Sequence, residues 1–181
     1  QLSQVKLPQA DDGSNRLLLP PLLPNEANIS VKSLIEPLIE RAKARANLQG
    51  RKWFSPSEWP SWMESSSISE GVIAEIVANL LENAFRYSPP QSSIGIELVE
   101  EGICIWDEGI PINEEEREKI FEKGFRGESG SKMSGSGIGL ALARDLARQL
   151  GGDLTLVVNP STFKNSLPKS GNAFVFNLEP K

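Results

Sequence analysis

The chain has no histidine and a single cysteine among its 181 residues. The absence of histidine excludes a Ser-His-Asp triad, a histidine-ligated zinc site and imidazole acid–base catalysis within this sequence. The one cysteine, Cys104, excludes an internal disulfide and a zinc site built from thiolates. Because Cys104 lies in an apolar run, we expect a buried thiol in a reducing, cytoplasmic compartment.

Positive charge and long apolar runs are also scarce. Lysine and arginine total 19 against 24 aspartates and glutamates, and the net charge of −5 argues against a nucleic-acid-binding surface. No apolar stretch approaches the roughly 20 residues of a membrane span. The N-terminus has no secretory signal pattern either, so we predict no direct membrane contact for this sequence. The length predicts one domain with a sizeable core, and the start at Gln1 suggests a piece of a longer protein.

Residues 1–29 are polar at first and then read LLLPPLLP over residues 17–24. The prolines rule out a regular helix or a central strand in this stretch. We therefore predict a linker arm. A proline-rich segment recognised by another protein is the alternative, which the bulky leucines disfavour because they require burial.

Periodicity and capping signals predict four helices and five strands in the remainder. The predicted helices are residues 30–48, 69–87, 114–120 and 138–150. The predicted strands are residues 51–54, 93–99, 103–106, 154–158 and 173–178. Pro37 should kink the first helix or mark its true start. Because hairpins outnumber β-α-β crossovers, this order predicts an α+β fold: a two-layer sandwich of a mixed, mostly antiparallel sheet with helices on one face.

The helix predicted over residues 69–87 combines an apolar arc with a polar flank. Glu75, Asn79, Asn83 and Arg86 follow one another at helical spacing and share a face beside the arc. Asparagine is a mediocre helix former, so two of them one turn apart indicate a polar ligand held at the edge of the core. Taken alone, the helix favours the alternative of an ordinary solvated face.

Three further features could bind a nucleotide. Asp107 follows an apolar strand and precedes Gly109, so its carboxylate could accept hydrogen bonds from a ligand amine such as that of adenine; an ordinary aspartate turn is the alternative. The glycines of residues 135–139 precede a helix, whose N-terminus favours an anion; a flexible linker with a helix cap is equally compatible. Arg126 could hold a phosphate or be solvated.

The order of these features resembles the catalytic ATP-binding domain of sensor histidine kinases, within the gyrase, Hsp90, histidine kinase and MutL superfamily. The matching stretches are NLLENAFRYSP (residues 79–89), WDEGIPI (residues 106–112), IFEKGFRG (residues 120–127) and GSGIGLALARDLARQLGG (residues 135–152). The resemblance implies a Bergerat-type ATP-binding domain over residues 30–181, with an ATP lid at about 122–137. It also implies that residues 1–29 tether this domain to a separate histidine-bearing helical domain.

The resemblance also implies roles for individual residues around the phosphates. Asn83 corresponds to the ligand of Mg²⁺, which suits an amide oxygen because the cation prefers oxygen ligands. Asn79 would lie beside the same metal, and Arg86 and Arg126 would contact phosphate, so these four are the implied catalytic residues. Tyr87 would form a wall of the nucleotide pocket.

At the adenine end, the resemblance assigns Asp107 to the recognition of the base, with Gly109 and Ile112 lining the ring. Phe121 and Phe125 would anchor the lid. The residues of the second glycine-rich stretch that would contact the nucleotide are Gly135, Gly137, Ile138, Gly139 and Leu140.

The implied function is transfer of the ATP γ-phosphate to a histidine on the dimerisation domain, for relay to the receiver domain of a response regulator. ATP and Mg²⁺ would be the cofactors, and the full protein would be a homodimer. Two departures stand out. Pro111 replaces the second glycine of the family's usual Asp-x-Gly-x-Gly, and the phosphoacceptor histidine is absent from this sequence.

Two other functions remain open. An ATP-hydrolysing clamp or chaperone of the same superfamily would carry a glutamate as general base one turn before the magnesium-binding asparagine. This chain has Asn79 there, and an amide cannot act as a base. A degenerate module that acts through protein contacts without kinase activity is kept open by Pro111.

Overall fold

The computed structural model describes residues 29–64, 70–125 and 139–178. Three helices and five strands make up the regular structure of these residues. The helices are α1 (Val31–Leu48), α2 (Glu70–Tyr87) and α3 (Gly139–Gln149). The strands are β1 (Lys52–Phe54), β2 (Ser93–Val99), β3 (Gly102–Asp107), β4 (Asp153–Val158) and β5 (Asn172–Asn177).

The five strands form one sheet in the order β1-β2-β3-β5-β4. The β1 strand runs parallel to β2, and every other pair is antiparallel. This arrangement confirms the predicted α+β class with a mixed, mostly antiparallel sheet. At one end of the sheet, Asp107 is the register partner of Ile94 on one side and of Asn172 on the other.

The two faces of the sheet are covered differently. On the inner face, isoleucines of β2 and β3 and Phe174 and Phe176 of β5 form one core with the apolar stripes of the three helices. On the outer face, Trp106, Cys104 and Val175 pack with Leu167 from the long loop between β4 and β5. This loop explains why β3 is buried along its whole length rather than on alternate residues.

The start and end of α1 follow the predicted signals. Ser30 caps the helix, since its hydroxyl oxygen accepts a hydrogen bond from the backbone N–H of Ser33 at 3.2 Å. The helix continues through Pro37, so the alternative of a start at that residue is wrong. Gly50 has a φ of +67°, which ends the helix at a conformation that glycine adopts without strain.

The segment predicted as a helix over residues 114–120 is instead two short 3₁₀ turns, Glu114–Glu116 and Lys119–Phe121. Ile120 and Phe121 are buried, whereas Glu114 and Glu115 are exposed. The buried apolar residues are therefore confined to the end of this segment. Two such residues are too few to hold a longer helix against the core.

Arg51 fixes the C-terminal end of α2. Its guanidinium donates hydrogen bonds to the backbone oxygens of Phe85 (3.3 Å), Ser88 (3.2 Å) and Pro89 (2.8 Å), and to the hydroxyl of Ser88. These carbonyls at and just beyond the helix end lack helical partners, and the cation also suits the negative end of the helix dipole. The contact joins the β1 edge to the last turn of α2, where Arg86 and Tyr87 lie.

None of the helices within residues 29–64, 70–125 and 139–178 has the length and apolar character that a membrane span requires.

Candidate functional site

The polar flank of α2 lies next to the start of α3. Asn79 is half-buried, and its amide nitrogen donates to the backbone oxygen of Glu75 at 3.0 Å. This bond orients the amide, whose oxygen faces Gly139: a Cβ built on that glycine would lie 3.5 Å from the Asn79 Oδ1 atom. Two sequence stretches 60 residues apart therefore meet at this point, as the resemblance implies.

The start of α3 carries the properties of an anion site at this junction. Gly139 is the first described residue of α3, in the N-terminal turn of the part of the helix that the structure describes, and the first backbone N–H groups of any helix lack helical acceptors. Their partial positive charge favours an anion beside them. Asn83, one turn after Asn79, and Arg86 are also half-buried on α2, so an amide oxygen and a cation lie along the same flank.

Arg86 makes a distant ion pair with Glu82 on the same helix, with 4.0 Å between nitrogen and oxygen. A half-exposed ion pair of this length contributes little to stability, so the Arg86 guanidinium remains available to an anion. Glu82 has a shorter pair with Arg45 of α1, at 2.7 Å, which holds the carboxylate towards α1.

Asp107 ends β3 with a carboxyl group that is 2% exposed. Burial raises its pKa to about 7, although a hydrogen bond from Gly109 and the charge of Arg51 act in the opposite direction. The Oδ1 atom accepts the backbone N–H of Gly109 at 2.7 Å. A second acceptor site on this carboxyl group can take a hydrogen bond from a ligand amine.

Gly109 is required by two close neighbours. A Cβ at this position would lie 2.6 Å from the Asp107 Oδ1 atom and 2.9 Å from the backbone oxygen of Tyr87. Any larger residue would push the loop away from the end of α2. The glycine therefore allows the Asp107 carboxyl group, which is predicted to recognise adenine, to lie near half-buried Tyr87.

Asn172, which no sequence pattern singled out, lies beside the candidate site as the register partner of Asp107. It is 5% exposed and lies at the first position of β5, on the same inner face as Asp107. Its amide nitrogen donates to the backbone oxygen of Ile110 at 2.9 Å, and its amide oxygen accepts the backbone N–H of Ile112 at 3.0 Å. The signal that could have revealed it is a Gly-Asn pair opening an otherwise apolar strand.

The segment preceding the predicted lid is held by α3. Phe121 packs edge-on against Phe174, with 6.2 Å between ring centroids. The Arg144 guanidinium lies over the Phe121 ring, 4.3 Å from its centroid. Arg144 also pairs with Glu118 at 2.9 Å and with Asp153 at 3.4 Å. The sequence analysis did not single out Arg144. Its contacts join α3, the 3₁₀ turns and β4.

The remaining predicted residues fall into two groups. Ile112, Phe125 and Leu140 are half-buried and pack against the inner core. The predicted residues outside the described ranges are Arg126, Gly135, Gly137 and Ile138, together with most of the lid at about 122–137.

The donor set fits a magnesium ion that is held mainly by the nucleotide. Among the described residues, no three or more acidic, histidine or cysteine side chains gather in a group that could hold a metal. An amide oxygen from Asn83 is a suitable single protein ligand for Mg²⁺, because that ion usually keeps several waters and binds substrate phosphates.

A cavity of about 730 Å³ lies on the outer face of the sheet, away from this site. Its walls include Phe54, Glu97, Trp106 and Leu167. None of the predicted nucleotide-binding residues lines it. The candidate site is therefore the inner-face junction of α2, α3 and the loop after β3.

Comparisons with known proteins identify the family and the fold. Residues 69–181 match the family described as "Histidine kinase-, DNA gyrase B-, and HSP90-like ATPase". The sensor histidine kinase Hik2 of Thermosynechococcus vestitus is 40% identical over 123 residues, which cover 64% of this chain and 31% of the relative. The sensor-like histidine kinase SenX3 of Mycobacterium tuberculosis is 30% identical over 158 residues, covering 81% of this chain and 37% of the relative.

The chain thus spans about a third of the length of these relatives. Among solved structures, the mycobacterial sensor histidine kinase MprB superposes with a TM-score of 0.62 at 24% identity, covering 84% of this chain and 99% of that one. That likeness confirms the fold. The match over residues 69–181 establishes that the chain belongs to the family of histidine kinase-, DNA gyrase B- and HSP90-like ATPases.

Proposed function

We propose that this chain is the ATP-binding catalytic domain of a two-component sensor histidine kinase. The observation that carries the proposal is the meeting of Asn79 with Gly139, which brings an asparagine-bearing helix flank to the N-terminus of α3. The helical N–H groups and a cation favour the phosphates of a nucleotide, and the amide oxygens suit its Mg²⁺ ion. The named relatives are sensor histidine kinases, which supports phosphotransfer as the reaction.

The adenine ring would bind at the end of β3. The Asp107 carboxylate accepts a hydrogen bond from the exocyclic amine, and the backbone at Gly109 approaches closely because there is no side chain. The half-buried side chain of Ile112 would provide apolar contact with the ring, and Tyr87 would form the adjoining wall. Burial of Asp107 makes this hydrogen bond stronger than it would be in water.

The phosphates would lie along the flank of α2. Asn83 would contribute an oxygen to Mg²⁺, while Asn79, Arg86 and Arg126 would position the phosphate chain. A bound Mg²⁺ would neutralise charge on the phosphate oxygens. Gly135, Gly137, Ile138, Gly139 and Leu140 would enclose the phosphates from the lid side.

The reaction transfers the γ-phosphoryl group to a histidine on a separate dimerisation domain. The bond between the γ-phosphorus and the β,γ-bridging oxygen breaks, ADP leaves, and a nitrogen–phosphorus bond forms on the imidazole. This domain contributes positioning and charge stabilisation rather than a covalent intermediate. The phosphoryl group then passes to the receiver domain of a response regulator, in a cytoplasmic, homodimeric protein.

ATP hydrolysis is the less favoured reaction at this site. Asn79 occupies the position one turn before Asn83 and uses its amide nitrogen to bond the backbone of Glu75. An amide cannot take a proton from water, so no general base stands at this position. The phosphoryl group is therefore kept for an acceptor on another domain.

Equilibrium titration with a fluorescent ATP analogue, with and without Mg²⁺, tests the binding half of the proposal. We expect binding that strengthens with Mg²⁺, and we expect Asn83→Ala to lose that dependence. Glu75→Gln is a matched control, because Glu75 is exposed on the same helix and its backbone contact to Asn79 is kept. Absence of binding at millimolar nucleotide would leave the chain as a protein-interaction module without kinase activity.

A further inference from the structure

We propose that Asn172 is a positioning residue that holds the loop after β3 in the conformation that receives adenine. The proposal rests on the function proposed above, because it concerns the same end of the site. Asn172 is not a ligand of the nucleotide in this account. It acts through the backbone of residues 110–112.

Two hydrogen bonds join Asn172 to the loop, one on each side of Pro111. One runs from Asn172 to the Ile110 oxygen, and the other runs from the Ile112 nitrogen to Asn172. Proline has no N–H, so the central residue of the loop has no backbone hydrogen to donate. One side chain therefore satisfies the carbonyl before the proline and the N–H after it.

The loop itself makes few packing contacts. The Ile110 side chain is 70% exposed, and Pro111 is exposed as well. Only Ile112 reaches the core, and it is half-buried. Since apolar contacts are few here, the two hydrogen bonds to Asn172 carry much of the order of the loop.

The sheet fixes the position of Asn172 relative to Asp107. The two residues are register partners across β3 and β5. The preceding residue, Gly171, has a φ of +132°, and a Cβ there would lie 2.0 Å from the backbone oxygen of Asp107. The backbones of β5 and β3 therefore lie close together at this end of the sheet. The Asn172 side chain, held at a fixed position by β5, forms its hydrogen bonds to the loop from there.

The loop is consequently fastened at two points. Gly109 bonds to the Asp107 carboxyl group, and residues 110 and 112 bond to Asn172. The carboxyl group that would take the adenine amine and the Ile112 side chain that would contact the ring are thereby held in one geometry. We call the two hydrogen bonds of Asn172 to residues 110 and 112 the clamp. Loss of the clamp would leave the Asp107 carboxyl group in place but would free the Ile112 side chain.

The chemistry of the clamp requires asparagine. Its amide supplies both a donor and an acceptor, whereas aspartate supplies acceptors only and serine is too short to bridge both backbone groups. An aspartate would also place a second carboxylate directly opposite Asp107, and like charges in opposite strand positions repel. Asn172→Ser is therefore the cleaner substitution, because it changes no charge.

The inference predicts which ligands are affected. A residue that positions the adenine loop should matter equally for adenosine, ADP and ATP, since all three share the base. It should leave the dependence of ATP affinity on Mg²⁺ unchanged. A residue that acted on the phosphates would weaken ATP and spare adenosine.

The experiment is calorimetric titration of adenosine, ADP and Mg²⁺–ATP against the wild-type chain, Asn172→Ala, Asn172→Ser and the control Asn177→Ala. Asn177 ends the same strand but is exposed at the opposite end of the sheet. We expect roughly tenfold weaker binding of all three ligands in both Asn172 variants, as the loss of two hydrogen bonds would produce, and no change in the control.

Hydrogen exchange of the Ile112 amide gives a readout that does not depend on ligand. It should quicken in the Asn172 variants while exchange in the centre of the sheet is unchanged. Wild-type affinity for all three ligands in a folded Asn172→Ser variant would overturn the inference while leaving the proposed function intact. So would a loss confined to ATP. Failure of the wild-type chain to bind any adenine nucleotide would instead refute the proposed function.

Discussion

Gly139 lies next to Asn79 although the two come from different helices: a Cβ on the glycine would stand 3.5 Å from the amide oxygen of the asparagine. The two residues meet where α2 packs against α3. This packing places the polar flank of one helix at the N-terminus of another, where an anion is favoured. The proposed phosphate site depends on this junction.

Substitutions at Gly139 test that junction. A distance of 3.5 Å is ordinary van der Waals contact, so Gly139→Ala should retain ATP binding. The branched side chain of Gly139→Val should displace Asn79 and weaken Mg²⁺–ATP by roughly tenfold, about 1.4 kcal/mol, while adenosine affinity stays unchanged. Titrations of both ligands against both variants make the comparison. Equal losses for adenosine and ATP would show that the substitution disturbs the fold rather than the phosphate site.

Asp107→Asn should stabilise the ligand-free chain at neutral and higher pH. Burial raises the pKa of Asp107 to about 7, against 3.8 for the ordinary carboxyl group. Between these values the native state keeps a proton that the unfolded state has lost. The free energy of unfolding therefore falls as the pH rises through this window, by about 1.4 kcal/mol per unit.

Urea denaturation of both proteins at pH 5 and pH 8 measures this effect. We expect the advantage of Asp107→Asn to be larger at pH 8 than at pH 5. Asp107→Asn should also lose affinity for adenosine, because the carboxylate acceptor is gone. Gly109 and the hydrogen bonds from Asn172 to the loop remain, so the loss would not come from a displaced loop. A stability difference that does not depend on pH would mean that the native carboxyl group titrates normally.

Arg51→Ala should destabilise the fold by roughly 2–4 kcal/mol. The substitution leaves the backbone oxygens of Phe85 and Ser88 without their donor at the end of α2. Arg41→Ala on the exposed face of α1 is the matched control and should change stability by less than about 0.5 kcal/mol. Urea denaturation compares the two, and equal effects would show that Arg51 contributes only its charge.

Arg144→Lys should destabilise the chain although it keeps the charge. Lysine lacks the planar guanidinium that lies 4.3 Å from the Phe121 ring centroid and also bonds Glu118 and Asp153. We expect a loss of about 1–2 kcal/mol in thermal or urea unfolding. Arg148→Lys is the control, because that side chain is 54% exposed, and its ion pair with Asp153 at 3.1 Å lies at the surface, where such pairs contribute little to stability.

The sequence predicted the features that depend on local pattern. The apolar arc of α2, the cap at Ser30 and the hairpin of β2 and β3 all arise from neighbouring residues, and each is present. The convergence of Asp107 with Gly109 was also readable, since the two are only two positions apart. Such features need no knowledge of the tertiary fold.

The contacts that were missed join residues far apart in the chain. Asn172 bonds Ile112 across 60 positions, and Arg51 bonds Ser88 across 37. Neither side chain belongs to a periodic pattern, because its partners are backbone groups that the tertiary fold brings near. The charged residues of segment 114–121 have adequate helix propensity, which predicts a helix there. The segment forms two short 3₁₀ turns instead, because it has almost no apolar face to pack against the core.

The most direct test of the proposed kinase function is phosphoryl transfer from ATP labelled at the γ-phosphate, with this chain and a histidine-bearing dimerisation domain supplied together. We expect an acid-labile, base-stable label on the histidine domain that requires Mg²⁺ and is absent with Asn83→Ala. Tight ATP binding accompanied only by release of labelled inorganic phosphate would contradict the proposed kinase function and identify an ATP-hydrolysing protein.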